Sequence, residues 1–347
     1  MSAGVPSSTA PEAGLIDAAR AGDEGAFRKL VEPHRAELHA HCYRMLGSLH
    51  DADDALQETL LRAWRGLAGF ESGRPLRPWL YAIATNTCLT AISKQRKRIL
   101  PIDRGPKSAP GEGPGEPVLE TLWLEPYPDE ALGVPDGYSS PAARYEQRES
   151  VELAFIAALQ HLPARQRAVL ILRDVLGFSA KEVAEALETT AAAINSALQR
   201  ARKTVEDRLP ARSQQASLRE LGDEGLKKLV EKYVRAWESR DVDAMVAMLV
   251  DDAIFAMPPH PRWFRGAAEV VAFVTEAGKL PLRHIPLRAN GQPAIAWYLR
   301  WPGQTAYTPA SLEVLAVEGD RVREITAFVS SGLFERFGLP TELAEPG

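Results

Sequence analysis

The sequence predicts a multidomain chain: two all-α domains, the second carrying a helix-turn-helix, followed by a C-terminal α+β domain. Three observations predict it. Apolar residues recur at helical spacing over 15–98 and again over 143–212, with few β-branched runs. Between these blocks, 99–142 is rich in Pro, Gly and acids ("RGPKSAPGEGPGEP"), a composition that buries no core and reads as a linker. From residue 222 an amphipathic helix (Leu226, Leu229, Val230, Tyr233, Trp237) gives way to short strand-like runs: Ala294 to Arg300, Ser311 to Val317 and Val322 to Val329. The last two are joined by the turn "EGDR".

Bulk properties narrow the function classes. A length of 347 residues suits two or three domains, and 45% hydrophobic with 25% charged residues is ordinary globular composition. No apolar run spans a bilayer, and residues 1–14 ("MSAGVPSSTAPEAG") form a polar tail without a signal-peptide core. A disordered tail, a cytoplasmic location and no membrane partner are expected. Cys42 and Cys88 lack a C-x-x-C partner, so neither a disulfide framework nor a zinc ribbon is indicated. His34, His39, His41 and Cys42 gather in one stretch, but not as a tight i, i+4 ligand pair on one helical face. No metal and no cofactor are expected. The net charge of −5 hides local contrast, because residues 99–150 hold ten acids against four bases.

The first helical block sets acid against base. "DADDALQETLLRAW" (51–64) places Leu56, Leu60 and Ala63 on one helical face, continued by Leu67, and Asp51, Asp54, Gln57 and Glu58 on another. From Arg62 to Arg98 there are eight Lys or Arg and one acid, Glu71. "RPLRPWLYAIATNTCLTAISKQRKR" reads as a helix with Leu80, Ile83, Ala84, Thr87 and Ala91 inward. Its outer surface is expected to carry Arg77, Trp79, Tyr81 and Asn86, ending in Lys94, Arg96, Lys97 and Arg98. Aromatics interleaved with cations suit single-stranded nucleic acid, since rings stack on bases while cations track phosphates. The preceding "GLAGFESGRP" is a Gly-rich loop able to admit a flipped base.

The linker contains one apolar island, "LWLEPYP". Leu122, Trp123, Leu124 and Tyr127 are too hydrophobic for free chain, and a contact with the third domain or the helical blocks is expected.

The second block has helix-turn-helix layout. Gly177 ends one helix, Ser179 and Glu182 form a capping box for the next, and Thr190 caps a third. Val183, Leu187, Ile194 and Leu198 supply the seam. Along the third helix Asn195, Ser196 and Gln199 offer base-reading groups, and Arg200, Arg202 and Lys203 offer phosphate contacts.

Taken together, these stretches resemble a known family. "DADDALQETLLRAW" is similar to the core-polymerase-binding helix of sigma factors, and "RPWLYAIATNTCLTAISKQRKR" to the helix that melts and reads the −10 element. "GFSAKEVAEALETTAAAINSALQRARK" is similar to their −35-reading module. The order implicates the extracytoplasmic-function (ECF) group of the sigma-70 family. The resemblance implies core RNA polymerase and promoter DNA as partners. It assigns Asp51, Asp54, Gln57 and Glu58 to polymerase, and Arg77, Trp79, Tyr81, Asn86, Lys94 and Arg96 to the −10 element. Asn195, Ser196, Gln199, Arg200, Arg202 and Lys203 fall to the −35 element. Glu188 stands where the family usually has Gly before the recognition helix.

Residues 222–347 resemble the cone-shaped SnoaL-like polyketide cyclases and ketosteroid isomerases, on "YVRAWESRDVDAMVAMLVDDAIFAMPP", "WFRGAAEVVAFV" and "ITAFVSSGLF". The resemblance implies an apolar pocket lined by Trp237, Met257, Trp263, Trp297, Tyr307 and Phe328, with room for a small-molecule ligand. Asp252, His260, His284 and Glu313 are the groups available for acid–base chemistry. Related cyclases often carry an acid at the end of the last strand, where this chain has Val329, Ser330 and Ser331, so no enzyme activity is expected. The expected function is a sigma factor with an appended modulating domain. Two alternatives are a ligand-responsive regulator binding duplex DNA alone, and a SnoaL-like enzyme with a DNA-binding region.

Overall fold

A computed structural model describes residues 10–71, 73–94, 96–109, 111–119, 122–132, 148–277 and 280–345. The chain forms two compact units. The first comprises Met1–Lys97, Glu130–Ser150 and Phe155–Arg208; the second comprises Arg98–Asp129, Val151–Ala154 and Leu209–Gly347.

Among the described residues, the first unit begins with five helices: α1 (Ala10–Arg20), α2 (Glu24–Val31), α3 (Arg35–Leu46), α4 (Leu49–Gly66) and α5 (Leu76–Lys94). The polar tail is therefore shorter than expected, since Ala10–Gly14 already belong to α1; residues 1–9 lie outside the described residues. Gly47, at φ 70°, ends α3 in the left-handed conformation that glycine adopts without a Cβ clash. Ser48 starts α4 at once, its side chain accepting from Asp51 N at 3.1 Å. Leu38, Met45, Leu56, Ala63, Leu80 and Ala84 close the core of this bundle.

Further helices follow: α6 (Leu153–Gln160), α7 (Ala164–Leu170) with a π-helical turn over Ile171–Val175, α8 (Ala180–Ala186) and α9 (Ala191–Glu206). The expected caps are present. Ser179 accepts from Glu182 N at 3.2 Å while Glu182 accepts from Ser179 N at 2.7 Å, and Thr190 accepts from Ala193 N at 3.2 Å. In the turn before α9, Glu188 takes φ 50°, the left-handed geometry the family usually gives to Gly.

Two buried arginines tie the helices of this unit together. Arg167, on α7, donates to the Met45 carbonyl at the end of α3, and also to Gln160 O at 3.3 Å and Leu162 O at 3.4 Å. Burial pulls its guanidinium down to about 10. Arg44 donates to Ser150 O at 3.2 Å and Oγ at 2.8 Å.

The second unit carries α10 (Gln214–Ser239), α11 (Val242–Met248), β1 (Leu249–Ala256), β2 (Trp263–Arg265), α12 (Ala267–Ala277), β3 (Leu282–Ala289), β4 (Gln292–Leu299), β5 (Thr308–Glu318), β6 (Arg321–Phe328) and α13 (Gly332–Arg336). A six-stranded sheet runs β2-β1-β6-β5-β4-β3, antiparallel except for the β1–β6 pair. Three of these strands, β4, β5 and β6, match the expected runs. Alternation along them splits the sheet's faces: Ile295, Trp297, Leu315, Val317, Ile325 and Ala327 join the core under α10 and α12, whereas Ala296 and Tyr298 pack with Tyr307 and Phe334 on the other face.

Composition predicted a coreless linker over 99–142, and the structure differs for its first part. Arg98–Asp129 belong to the second unit. Backbone and side-chain bonds lay the segment along the sheet domain: Ser108 N to Trp263 O at 2.8 Å, Val118 N to Pro259 O at 3.0 Å, and Trp263 Nε1 to Gly105 O at 2.9 Å. Leu124 and Tyr127, from the apolar island, are buried. Pro and Gly here limit helix to one 3-10 turn, Pro101–Asp103, but do not prevent order, because neighbouring backbone meets several of the segment's hydrogen bonds. Residues 133–147 lie outside the described residues.

The stretch "ARSQQASLRELGDEG" (211–225) is polar, yet Gln214 onward is helix α10, kinked at Gly222 (φ 70°). Gln214 and Gln215 are buried because their amides complete a polar hub. Glu152 accepts from Gln214 N at 3.1 Å and Gln215 N at 2.7 Å, and Gln214 exchanges two bonds with Val317. The hub centres on the β3–β4 turn, Asn290 (φ 55°) and Gly291 (φ 70°), a hairpin geometry that Asn-Gly favours. Asn290 accepts from Tyr127 N and donates to Val151 O, both at 2.8 Å. No helix among the described residues is long and apolar enough to cross a membrane.

Candidate functional site

On α4, Asp54 and Gln57 are exposed, and Asp51 and Glu58 half-buried. Glu58 accepts from Arg62 at 2.6 Å, and Asp54 faces His50 at 3.7 Å. Leu61, one turn beyond Gln57 and Glu58, is 50% exposed. Spacing of three and four residues puts Asp54, Gln57, Glu58 and Leu61 on one stripe, so an acidic face surrounds an uncovered leucine. Sequence reasoning missed Leu61, since the adjacent pair Leu60–Leu61 gives periodicity no means of choosing the outer member.

The expected outer face of α5 does not hold together. Trp79 and Tyr81 are two residues apart, about 200° around a helix, so they cannot share a face. Trp79 is half-buried against Phe70, ring centroids 4.8 Å apart. Tyr81 is buried, set edge-on between His41 (5.2 Å) and Phe178 (5.3 Å). Arg77 lies over the rings of Tyr81 and Phe178 at 4.9 and 5.1 Å and pairs with Glu37 at 3.0 Å. Burial raises the Glu37 carboxyl, but His34 and Arg77 outweigh it and hold the group below its usual value. Asn86 is exposed, its Nδ2 donating to Ala186 O at 3.4 Å; Lys94 and Arg96 are also exposed. The solvent-facing residues are therefore Asn86 midway along α5, Lys94 at its end and Arg96 beyond it, without the tyrosine.

The histidines of the first block go to separate partners. His34 pairs with Glu37 at 2.7 Å, His39 with Asp53 at 3.1 Å, and buried His41 with Thr85 at 2.9 Å. Burial, with Arg44 and Arg77 nearby, pushes His41 down to about 3. Among the described residues no group of three or more His, Cys, Asp or Glu is arranged to hold a metal ion.

The third helix of the helix-turn-helix is uncovered as expected. Asn195, Ser196, Gln199, Arg200, Arg202 and Lys203 are all exposed on α9, with Ile194, Leu198 and Ala201 inward. An open groove of about 730 Å³ is lined by Asn195, Gln199, Arg200, Arg202 and Lys203, together with Arg173, Leu198 and one acid, Glu206. Arg173, on the π-helical turn, was not legible as a site residue because its turn carries no motif. Asp174 takes Arg202 in a two-pronged pair at 2.7 and 2.8 Å, which raises the guanidinium further.

In the sheet domain, three of the six expected pocket residues face the helix-covered core: Trp237, Trp297 and Met257. Tyr307 packs on the opposite face, and Phe328 alternates with the core residue Ala327 and so points away from that core. Trp263 alternates in the same way with core residue Phe264, and its indole instead holds the linker. Strand period two separates them, a distinction that composition could not supply. At the centre sits Glu313, 5% exposed, accepting from Tyr233 Oη and Trp297 Nε1, both at 2.8 Å. Burial pushes its carboxyl up to about 7 against these two bonds.

Family profiles match in the order these surfaces occur: Sigma-70 region 2 over residues 30–98, Sigma-70 region 4 over 152–205 and a SnoaL-like domain over 230–325. Over 323 residues the chain is 45% identical to the ECF RNA polymerase sigma factor SigG of Mycobacterium tuberculosis, an alignment spanning 92% of this chain and 85% of SigG. The chain belongs to the ECF RNA polymerase sigma factors. The ECF sigma factor SigW of Bacillus subtilis is 28% identical over 196 residues, which is 94% of SigW and 56% of this sigma factor. The crystal structure of the M. tuberculosis sigma factor SigJ shares the fold, with a TM-score of 0.58 at 21% identity over 88% of this chain and 97% of that one. In this sigma factor, region 2 thus holds the acidic stripe and α5, region 4 holds α8 and α9, and the SnoaL-like domain holds Glu313.

Proposed function

We propose that the stripe Asp51, Asp54, Gln57, Glu58 and Leu61 docks this sigma factor on core RNA polymerase, while α9 reads the −35 element and the α5 end takes the −10 strand. The observation that carries the reading is the pairing of an acidic, leucine-bearing face with an uncovered basic recognition helix in one unit. A regulator that binds duplex DNA alone leaves the exposed leucine among acids without a role. Run-off transcription with core polymerase and a promoter from the same genome tests the whole reading. Promoter-dependent transcript is expected, and none would appear if the chain acted alone on DNA.

Within that assay the α9 residues separate into two kinds. Asn195→Ala and Gln199→Ala are expected to change preference at particular −35 positions by about 1–3 kcal/mol for each lost base contact. Arg200→Ala is expected to weaken all promoters alike and to flatten the salt dependence. Uniform losses from all three would mean that the polar face does not read bases.

The SnoaL-like domain, in the same proposal, modulates output by holding the linker and the start of region 4. Its hub bonds Tyr127, Val151 and Gln214 support that reading. Asn290→Ala removes a donor and an acceptor that serve two separate segments, and is expected to change run-off yield while polymerase binding persists. Equal yield from wild type and variant across several salt concentrations would discard the modulating role.

A further inference from the structure

Arg202 is exposed on α9, yet it is not free. Its Nε donates to Asp174 Oδ2 at 2.8 Å and its Nη2 to Asp174 Oδ1 at 2.7 Å, so Nη1 is the end that makes no hydrogen bond among the described residues. Arg200 and Lys203 line the same groove, and their side chains make no hydrogen bond or ion pair among the described residues. Asp174 lies in the π-helical turn, where Leu176 N donates to Ile171 O at 3.0 Å, and turns of this kind frequently mark functional sites. The fold has little need of the pair. It is a surface ion pair, of a class that adds little to stability, and α7 and α9 already bury Val169, Leu170, Ile194, Leu198 and Ala201. Holding a long arginine in one geometry also costs rotamer entropy. An arrangement with that cost and so little stability to show for it calls for another role.

We propose that Asp174 is a specificity-determining positioning residue for −35 recognition: it holds Arg202 so that Nη1 meets a DNA phosphate at one register, and it offsets the arginine's charge towards all other DNA. The inference rests on the proposed docking of α9 on the −35 element. Phosphate contacts carry no sequence information of their own; they fix the register and orientation of the protein on the duplex. A free arginine on a flexible stem follows phosphates wherever they lie, so it strengthens binding to every sequence alike. A held one reaches its phosphate only where Asn195 and Gln199 have seated the helix on their bases. Ordering the side chain beforehand also removes that entropy loss from the binding step. Arg200 and Lys203 thus supply the general attraction, and Arg202 with Asp174 supplies the selective contact.

The test uses holoenzyme reconstituted from the full-length chain and core RNA polymerase. Two fluorescent duplexes are compared: one whose −35 element the holoenzyme has selected from a randomised pool, and the same duplex with that element scrambled. Affinity is read by anisotropy at several KCl concentrations between about 50 and 200 mM. Asp174→Ala is expected to bind the scrambled duplex more tightly than wild type, with a salt slope steeper by about one. Its selected-to-scrambled affinity ratio is expected to fall about fivefold or more. Arg202→Ala is expected to weaken binding to the selected duplex, and adding D174A to R202A is expected to leave the ratio of R202A unchanged, because Asp174 acts through Arg202. A gain on the scrambled duplex does not come from a misfolded protein, so D174A carries its own folding control. A wild-type ratio in D174A, weaker binding of D174A to both duplexes, or a further fall in ratio when D174A is added to R202A would overturn the proposal. Gln199→Ala separates this inference from the reading beneath it. If Q199A loses the ratio while D174A keeps it, only the role of Asp174 fails. If both keep it, or the pool yields no preferred element, the docking of α9 fails as well.

Discussion

Reversing charge at both Asp54 and Glu58 (Asp54→Arg with Glu58→Arg) is expected to abolish capture of core RNA polymerase while the helical content and melting of the protein stay near wild type. The fold loses little because the native partners are weak. His50 stands 3.7 Å from Asp54 with both side chains about two-thirds exposed, at 66% and 67%. The Glu58–Arg62 pair is an exposed i, i+4 contact, a class worth about 0.3–0.5 kcal/mol. Across an interface the same charges count for more, because close charge pairs couple by about 1.5–7 kcal/mol and reversal replaces attraction with repulsion. Leu61→Ala is a companion test, expected to weaken capture with little cost to the fold, since a half-exposed leucine contributes little packing. Pull-down with purified core, alongside a circular dichroism melt, reads both. Normal capture by the double reversal would reduce the stripe to a solvated helix face.

The second large effect is a pH dependence centred on Glu313. Its carboxyl is raised to about 7 in the fold against 4.5 when unburied. A raised carboxyl favours the folded state while protonated, so its contribution is fully present below about 4.5 and is lost as pH rises through about 7. The shift corresponds to on the order of 3 kcal/mol. Glu313→Gln keeps the acceptor for Tyr233 and Trp297 but cannot ionise. The stability of wild type relative to E313Q is therefore expected to fall by a few kcal/mol between about pH 5 and pH 8, with other titrating groups cancelling in the difference. Denaturant unfolding of both proteins at the two pH values measures it. A constant difference would mean that Glu313 is not held as buried as its surroundings indicate.

Local chemistry was the legible part of this protein. The Ser179–Glu182 box, the Thr190 cap, the Gly177 stop and the α9 polar face could be read from the sequence, because each depends on residues within a few positions of one another. What escaped was nonlocal. Tyr81 read as outward, and it is buried because Phe178, nearly a hundred residues on, covers it. Gln214 and Gln215 are buried although they lie in a polar stretch, and hydropathy scores a buried, bonded amide and an exposed one alike. Glu313 was one of four candidate acid–base groups, and only strand pairing singled it out by facing it toward Tyr233 and Trp297. The linker misled for the same reason: composition reports how a segment behaves alone, and Arg98–Asp129 is not alone.

That strap has a consequence for how the protein is made. Gly115 O meets the His260 ring 145 residues later, and Tyr127 N meets Asn290 after 163. At roughly 5–20 residues per second, a nascent chain carries Leu124 and Tyr127 for about 8–30 s before their partner strand exists. Contacts of such sequence separation also close slowly. Any messenger that stops before β3 leaves Tyr127 N without Asn290, and the side chains of Gln214 and Gln215 without Val317 and Gly291. A chain cut after region 4 thus keeps the strap without the Asn290 and His260 groups that bond it, and transcription measured with it reports an unpaired strap as well as lost modulation.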